Sequence, residues 1–288
     1  MRIDAHHHFW RYDPVEYGWI DDAMSSIRRD FLPANLAAAT ARAGIDSVIS
    51  VQARQTEEET RWLLELATAN AFIAGVVGWL PLCSEEALRS IESFAAHPKL
   101  VGLRHVIQGE PDPAFILRPD FNRGVALLKT FDLTYDVLVV ERQLPAAIEF
   151  VDRHPQQRFV LDHMAKPRIR EGRLSPWREN LRELARRPNV WCKLSGVVTE
   201  ADYGSWTEDS IRPYLETALE AFGPKRLMFG SDWPVCLVAC DYLRWSAVAS
   251  RFVATLSCDE QEQFWYLNAE TAYALGRIPP RVGGIEPR

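Results

Sequence analysis

What most limits the folds open to this chain is an alternation repeated eight times: a short apolar, β-rich run, then a stretch with helical periodicity. The runs fall at 2–6, 45–51, 72–79, 100–106, 133–140, 158–163, 189–196 and 226–232. They are near-continuous in Val, Ile and Leu rather than cleanly alternating, as expected of parallel strands buried on both faces. Helix signals fill the gaps. Thr56, with Glu59 three residues on, reads as a capping box. Ser84 reads as a second N-cap, and Pro176 takes the favoured first helical position. Helical segments are also expected at 141–154 and 208–222, and two more, around 241–256 and 259–275, after the last strand. Eight such βα units predict an α/β fold closed into a parallel barrel, in preference to an open doubly wound sheet.

The chain's 288 residues suit one barrel domain, assigned to 1–275 with a C-terminal extension at 276–288. Residues 11–35 form a long loop after the first strand, which in a barrel lies on the face where sites are built. Hydrophobic residues at 47% give ample material for a core. The balance of 33 basic against 39 acidic side chains offers no broad positive field for nucleic acid or an anionic membrane. No run approaches the roughly 18 apolar residues of a membrane span, and the start does not read as a signal peptide. The five cysteines (83, 192, 236, 240 and 258) form no CxxC pair. Reduced, mostly buried thiols in a cytoplasmic protein are therefore expected.

Polar residues gather where strands end. His6, His7 and His8 close the first run, and strand alternation puts His6 and His8 on one face with His7 turned away. The sixth run ends in His163 and the eighth in Asp232. One histidine or aspartate at a strand end could be a satisfied core residue or a turn cap. Four at one rim are better explained by chemistry. Imidazoles and a carboxylate suit a single divalent ion, zinc above all, which would polarise a carbonyl and acidify bound water. Without metal, Asp232 could serve as general base and the histidines as oxyanion donors. His6, His8, His163 and Asp232 are thus both the candidate catalytic set and the candidate metal set. Arg104, Gln52 and Lys193, also at strand ends, are candidate substrate contacts. Of the strand-end and loop tryptophans Trp10, Trp19 and Trp79, Trp79 is chosen to pack on a sugar ring. Lys166 is a further candidate substrate contact, and Asp162, Ser195 and His105 stand at strand ends with no role assigned.

The segments "IDAHHHFW", "GLRHVIQ", "LDHMAKP", "KLSG" and "MFGSDWPV" occur in order between residues 3 and 236. Together they resemble the amidohydrolase superfamily, and within it the amidohydrolase-2 branch that holds sugar lactonases. The resemblance implies a distorted (β/α)8 TIM barrel and hydrolysis of an aldonolactone, such as L-fuconolactone or L-rhamnonolactone, to its open acid. It matches His6 and His8 to the first-strand pair, His163 to the sixth-strand histidine and Asp232 to the eighth-strand base. Two departures argue against a binuclear site: the fifth run, "LTYDVLVV", has no histidine, and the fourth has no bridging lysine or glutamate. Some relatives of the branch work without metal. The partner expected is a small-molecule sugar lactone. Rival readings are hydrolysis of a pyrone-dicarboxylate or muconolactone substrate, decarboxylation of an aromatic acid, and a silent ligand-binding barrel. A dianionic substrate calls for several convergent arginines, and only Arg104 stands clearly at a strand end.

Overall fold

The computed structural model describes residues 1–276. Eight parallel strands pair in sequence order: β1 (Ile3–His7), β2 (Ser47–Val51), β3 (Ile73–Gly78), β4 (Leu100–His105), β5 (Thr134–Val137), β6 (Phe159–Leu161), β7 (Val190–Leu194) and β8 (Leu227–Phe229). The helices α1 (Pro33–Ala43), α2 (Glu57–Ala69), α3 (Ala87–Ala95), α4 (Pro119–Leu127), α5 (Leu144–Arg153), α6 (Trp177–Ala185), α7 (Glu208–Phe222) and α8 (Tyr242–Val253) follow the strands in turn. The result is a (β/α)8 barrel. Two short helices, α9 (Cys258–Glu262) and α10 (Asn268–Tyr273), complete the described chain. The expected extension lies, apart from Gly276, outside the described residues. Among the described residues no helix is long and apolar enough to cross a membrane.

The barrel is distorted where it closes. β1 and β8 do not form a regular ladder; the loop after β8 stitches them instead. His8 N–H donates to the Trp233 carbonyl at 2.7 Å, and Asp232 N–H donates to the His6 carbonyl at 2.8 Å. Asp4, wholly buried, accepts from Ser231 N–H at 2.8 Å and from the Tyr242 hydroxyl at 3.0 Å. This closure matters for the site, because it ties the backbone of His6 directly to that of Asp232.

Inside the barrel the side chains form layers. The lower layer is apolar: Ile3, Ala5, Ile49, Val51, Val77, Val101, Val160 and Met228 pack on Ala269, Ala272 and Tyr273 of α10, which seal one end. Above it, Lys193 from β7 lies 5.4 Å from the Tyr273 ring centre, and the Tyr273 hydroxyl donates to Asp136 of β5 at 2.8 Å. Polar residues therefore begin one layer below the open end.

Local signals held unevenly. Thr56 does cap α2 through Glu59 N–H, but Glu59 does not return the bond to Thr56: its carboxylate accepts from Ala53 and Arg54 N–H at 3.0 and 2.7 Å. The half-made box leaves Glu59 free to pin the loop after β2. Ser84 binds Glu86 N–H in a turn, and α3 starts only at Ala87. Pro176 is the N-cap of α6 rather than its first residue.

Candidate active site

The open end of the barrel holds a cavity of about 560 Å³ lined by His8, Arg104, His163 and Asp232 at its floor. Two rims rise around it. One comes from the 11–35 loop and the turn after β2 and presents Glu16, Trp19, Met24 and Arg54; the other comes from the loops after β6 and β7 and presents Lys166, Glu200 and Tyr203. The long first loop is pinched shut at its base by reciprocal backbone bonds between Trp10 and Phe31, at 3.0 and 2.9 Å.

The four residues expected to converge do so. His6 Nε2 lies 3.2 Å from His8 Nε2, and Asp232 Oδ1 lies 3.4 Å from His8 Nε2, 3.8 Å from His6 Nε2 and 4.0 Å from His163 Nε2. His7, turned away, bonds the Ser50 hydroxyl at 3.0 Å. Two glycines permit this crowding. A methyl group on Gly196 (φ +62°) would sit 2.5 Å from His163 Nδ1, and one on Gly230 would sit 2.8 Å from His6 Cβ. Asp232 itself has φ +56°, a left-handed conformation that aspartate tolerates better than most residues.

The sixth-strand end is built under strain. His163, Met164, Ala165 and Lys166 all have φ between 48° and 59°. Each non-glycine residue held in this region costs about 1–2 kcal/mol. The turn is kept by Trp177 Nε1–H donating to the Met164 carbonyl at 2.6 Å and Lys166 N–H donating to the His163 carbonyl at 2.8 Å. His163 Nδ1 is paired with the Ser195 hydroxyl at 2.9 Å.

Beneath the floor lies a buried ionic layer that the sequence reading did not assemble. Asp162 faces Arg104 Nη1 at 3.0 Å, Lys193 Nζ at 2.9 Å and His6 Nδ1 at 3.2 Å. Lys193 also bonds Asp136 at 2.5 Å and lies 3.1 Å from His6 Nδ1. Burial pushes Asp136 up to about 6, against the pull of Lys193. Asp162 is equally buried, but Lys193, His6 and Arg104 outweigh that penalty and hold it well below the usual carboxylate range. Burial likewise lowers His6 far below the ordinary imidazole value and His163 to about 4, so both imidazoles are neutral at pH 7. For Asp232, burial acts upward, yet His163, the His8 hydrogen bond and Lys166 bring it below its ordinary value.

The candidate substrate contacts sort differently. Arg104 lines the cavity, its guanidinium held by Asp162 and by the Gln52 side-chain oxygen at 2.8 Å, with a further bond to the Gln52 carbonyl. Gln52 is wholly buried behind it. Lys193 is also wholly buried, one layer too deep to meet a ligand in the cavity. Trp79 is outside the lining, its indole N–H donating to His105 Nδ1 at 3.1 Å. The cavity tryptophan is instead Trp19, 45% exposed on the first loop. Asp136 had left a trace in the sequence, as a lone carboxylate inside an apolar run, but its partner is a strand two positions round the barrel. Glu16, Glu200 and Tyr203 come from irregular loops that carry no periodic signal.

Among the described residues two overlapping sets could hold a cation: His6, His8 and Asp232, and His6, Asp162 and His163. Ligands about 2.0–2.1 Å from a tetrahedral zinc stand about 3.3–3.4 Å apart. The first set, at 3.2, 3.4 and 3.8 Å, fits. His8 Nδ1 faces the Val51 carbonyl at 2.8 Å, so a proton held there lets Nε2 turn its lone pair to a cation in place of the hydrogen bond it otherwise gives Asp232. In the second set Asp162 is already committed to Arg104 and Lys193.

Comparison with known proteins agrees with this geometry. The amidohydrolase family model matches residues 3–275. The L-fucono-1,5-lactonase of Burkholderia multivorans is 45% identical over 286 residues, 96% of each chain. That of Burkholderia ambifaria is 41% identical over 86% of each. A crystal structure of a Burkholderia multivorans amidohydrolase with bound zinc superimposes with a TM-score of 0.93 at 45% identity, covering 96% of this chain and 99% of that one. From its strand-end histidines to its overall match, this chain belongs to the amidohydrolase family.

Proposed function

We propose that the chain hydrolyses a sugar lactone, of the L-fucono-1,5-lactone type, to the open-chain sugar acid. The observation that carries this reading is the Asp232 carboxylate set among three imidazoles on the floor of a cavity. Similarity to the two Burkholderia lactonases supports the substrate class.

In this reading the lactone carbonyl lies over the floor, and Asp232 takes a proton from water as its oxygen attacks the carbonyl carbon. Arg104 turns its positive charge toward the oxygen on which negative charge develops. The tetrahedral adduct collapses, the ring C–O bond breaks, and the proton held by Asp232 passes to the departing ring oxygen. His163, neutral and fixed by Ser195, flanks the carboxylate without competing for its charge. Gln52 and Lys193 act indirectly, the first by holding Arg104 and the second by holding His6 and Asp162. One divalent ion, zinc by the donor set, would be held by His6, His8 and Asp232 with His163 beside them, and would polarise the carbonyl and acidify water.

The charge of the lining favours a neutral substrate over a dianion. Its three cations (Arg54, Arg104 and Lys166) are matched by three carboxylates (Glu16, Glu200 and Asp232). Arg54 is paired with Glu16, and Arg104 with Asp162. The test is acid release from a panel of aldonolactones by the parent and by Asp232→Asn. The parent should hydrolyse at least one, and the variant should be slower by about 10²–10⁴-fold. No acid release by the parent on any aldonolactone would overturn the reading.

A further inference from the structure

One polar pair in the cavity takes no proton and touches no reacting atom in the chemistry just described, although the charge of Lys166 also helps keep Asp232 ionised. Lys166 Nζ and Glu200 Oε1 stand 3.5 Å apart on the rim formed by the loops after β6 and β7, with side chains 23% and 27% exposed. At that separation the two are in loose contact, and neither has another charged partner within reach of an ion pair among the described residues. Both line the same cavity as Asp232 and His163.

The fold holds this pair in place firmly. Lys166 ends the left-handed turn that starts at His163, with φ 48° and ψ 70°, a conformation lysine rarely adopts unless its surroundings impose it. Glu200 is fixed from the same side: its carbonyl accepts from Arg170 N–H at 3.0 Å, and the Arg170 side chain bonds the Ala201 carbonyl at 3.3 Å. The Arg170 guanidinium also lies 5.3 Å from the ring centre of Tyr203, a neighbour in the lining. The two loops are thus clamped to each other, and the clamp sets an ammonium beside a carboxylate at the cavity wall.

Such a pair has a definite complement. An ammonium only donates hydrogen bonds and a carboxylate only accepts them, whereas a hydroxyl does both. One hydroxyl, or two on neighbouring carbons, can therefore satisfy both groups at once; a second carboxylate would meet Lys166 but be repelled by Glu200. Resting on the lactonase reading above, we infer that Lys166 and Glu200 form a subsite that reads the ring hydroxyls of the lactone and so selects polyhydroxylated, uncharged substrates.

The experiment measures kcat/KM for a 1,5-aldonolactone and for analogues each missing one ring hydroxyl, with the parent, Glu200→Gln and Lys166→Met. The parent should discriminate against at least one deoxy analogue by about 10- to 100-fold, the range for hydrogen bonds to charged groups. In both variants that ratio should shrink toward one, with the loss on the full substrate appearing mainly in KM. A variant that slows all lactones equally and keeps the parent's ratios would assign the pair a structural role and overturn the inference, and so would a parent that never discriminates. If the parent hydrolyses no lactone, the lactonase reading fails first; retained hydrolysis with unchanged ratios in the variants refutes the subsite alone.

Discussion

Lys193, within β7, and Lys166, in the loop after β6, are both paired with carboxylates, yet their surroundings differ in kind. Lys193 is wholly buried between Asp136 and Asp162, its nitrogen also facing His6. Lys166 is about a quarter exposed and meets one glutamate at 3.5 Å. An ammonium taken fully out of water with two partners cannot exchange them, and removing it strands two charges. An ammonium at a wetted wall can trade its partner for a ligand at little cost. The same residue type therefore supports the cavity floor in one layer and lines the cavity wall in the next, and depth decides which.

The sharpest way to break this contrast is Lys193→Met. It leaves Asp136 and Asp162 buried against an apolar side chain, so denaturant unfolding should show a loss of about 3–5 kcal/mol. A loss below about 1 kcal/mol would mean that the ionic layer is not what holds the floor. Next comes Gly196→Ala, which forces a Cβ onto a left-handed residue and to within 2.5 Å of His163 Nδ1. It should cost about 1–3 kcal/mol and lower kcat by displacing the imidazole; unchanged kcat would show that the position of His163 is not critical.

Glu59 supplies an intermediate case, a buried carboxylate bonded by backbone N–H groups. Burial pushes it from an ordinary value of 4.5 up to about 7. Between those values the native state binds more protons than the unfolded state, so stability falls as pH rises through that window and levels off above it. Glu59→Gln should remove this part of the decline, so its Tm should gain on the parent's between pH 4.5 and 7. Parallel Tm curves would contradict the assignment. The smallest effect is expected from Lys166→Met, within about 1 kcal/mol of the parent in stability, because its pair is partly solvated. A larger loss would erase the contrast with Lys193.

The same difference in depth explains what could be read from sequence. Buried parallel strands must be apolar along their length, so eight runs were visible within a few residues of their true limits. His6 and His8 take their shared direction from the pleat, whereas His163 and Asp232, in left-handed conformations past the ends of β6 and β8, are legible only as polar residues that follow strands at the same rim. Lys193 and Gln52 were recognised as strand-end polar residues but placed in the cavity, since sequence does not say which layer a lumen-facing residue occupies. Asp136 and Lys193 come together only when the barrel brings β5, β6 and β7 round to face inward. The rim residues Glu16, Trp19, Glu200 and Tyr203 lie in loops whose path is set by tertiary bonds, such as the Trp10–Phe31 pinch and the Arg170 clamp. No periodicity announces them, so nothing in the sequence favours Trp19 over Trp79 as the cavity tryptophan.

A carboxylate among imidazoles, under a wall of balanced charge, should cleave an uncharged polyol lactone in preference to a dianion. The most direct test is one competition assay, in which the parent enzyme is offered a 1,5-aldonolactone and a pyrone dicarboxylate together and each product is followed. kcat/KM for the aldonolactone should exceed that for the dianion. Faster turnover of the dicarboxylate would contradict it.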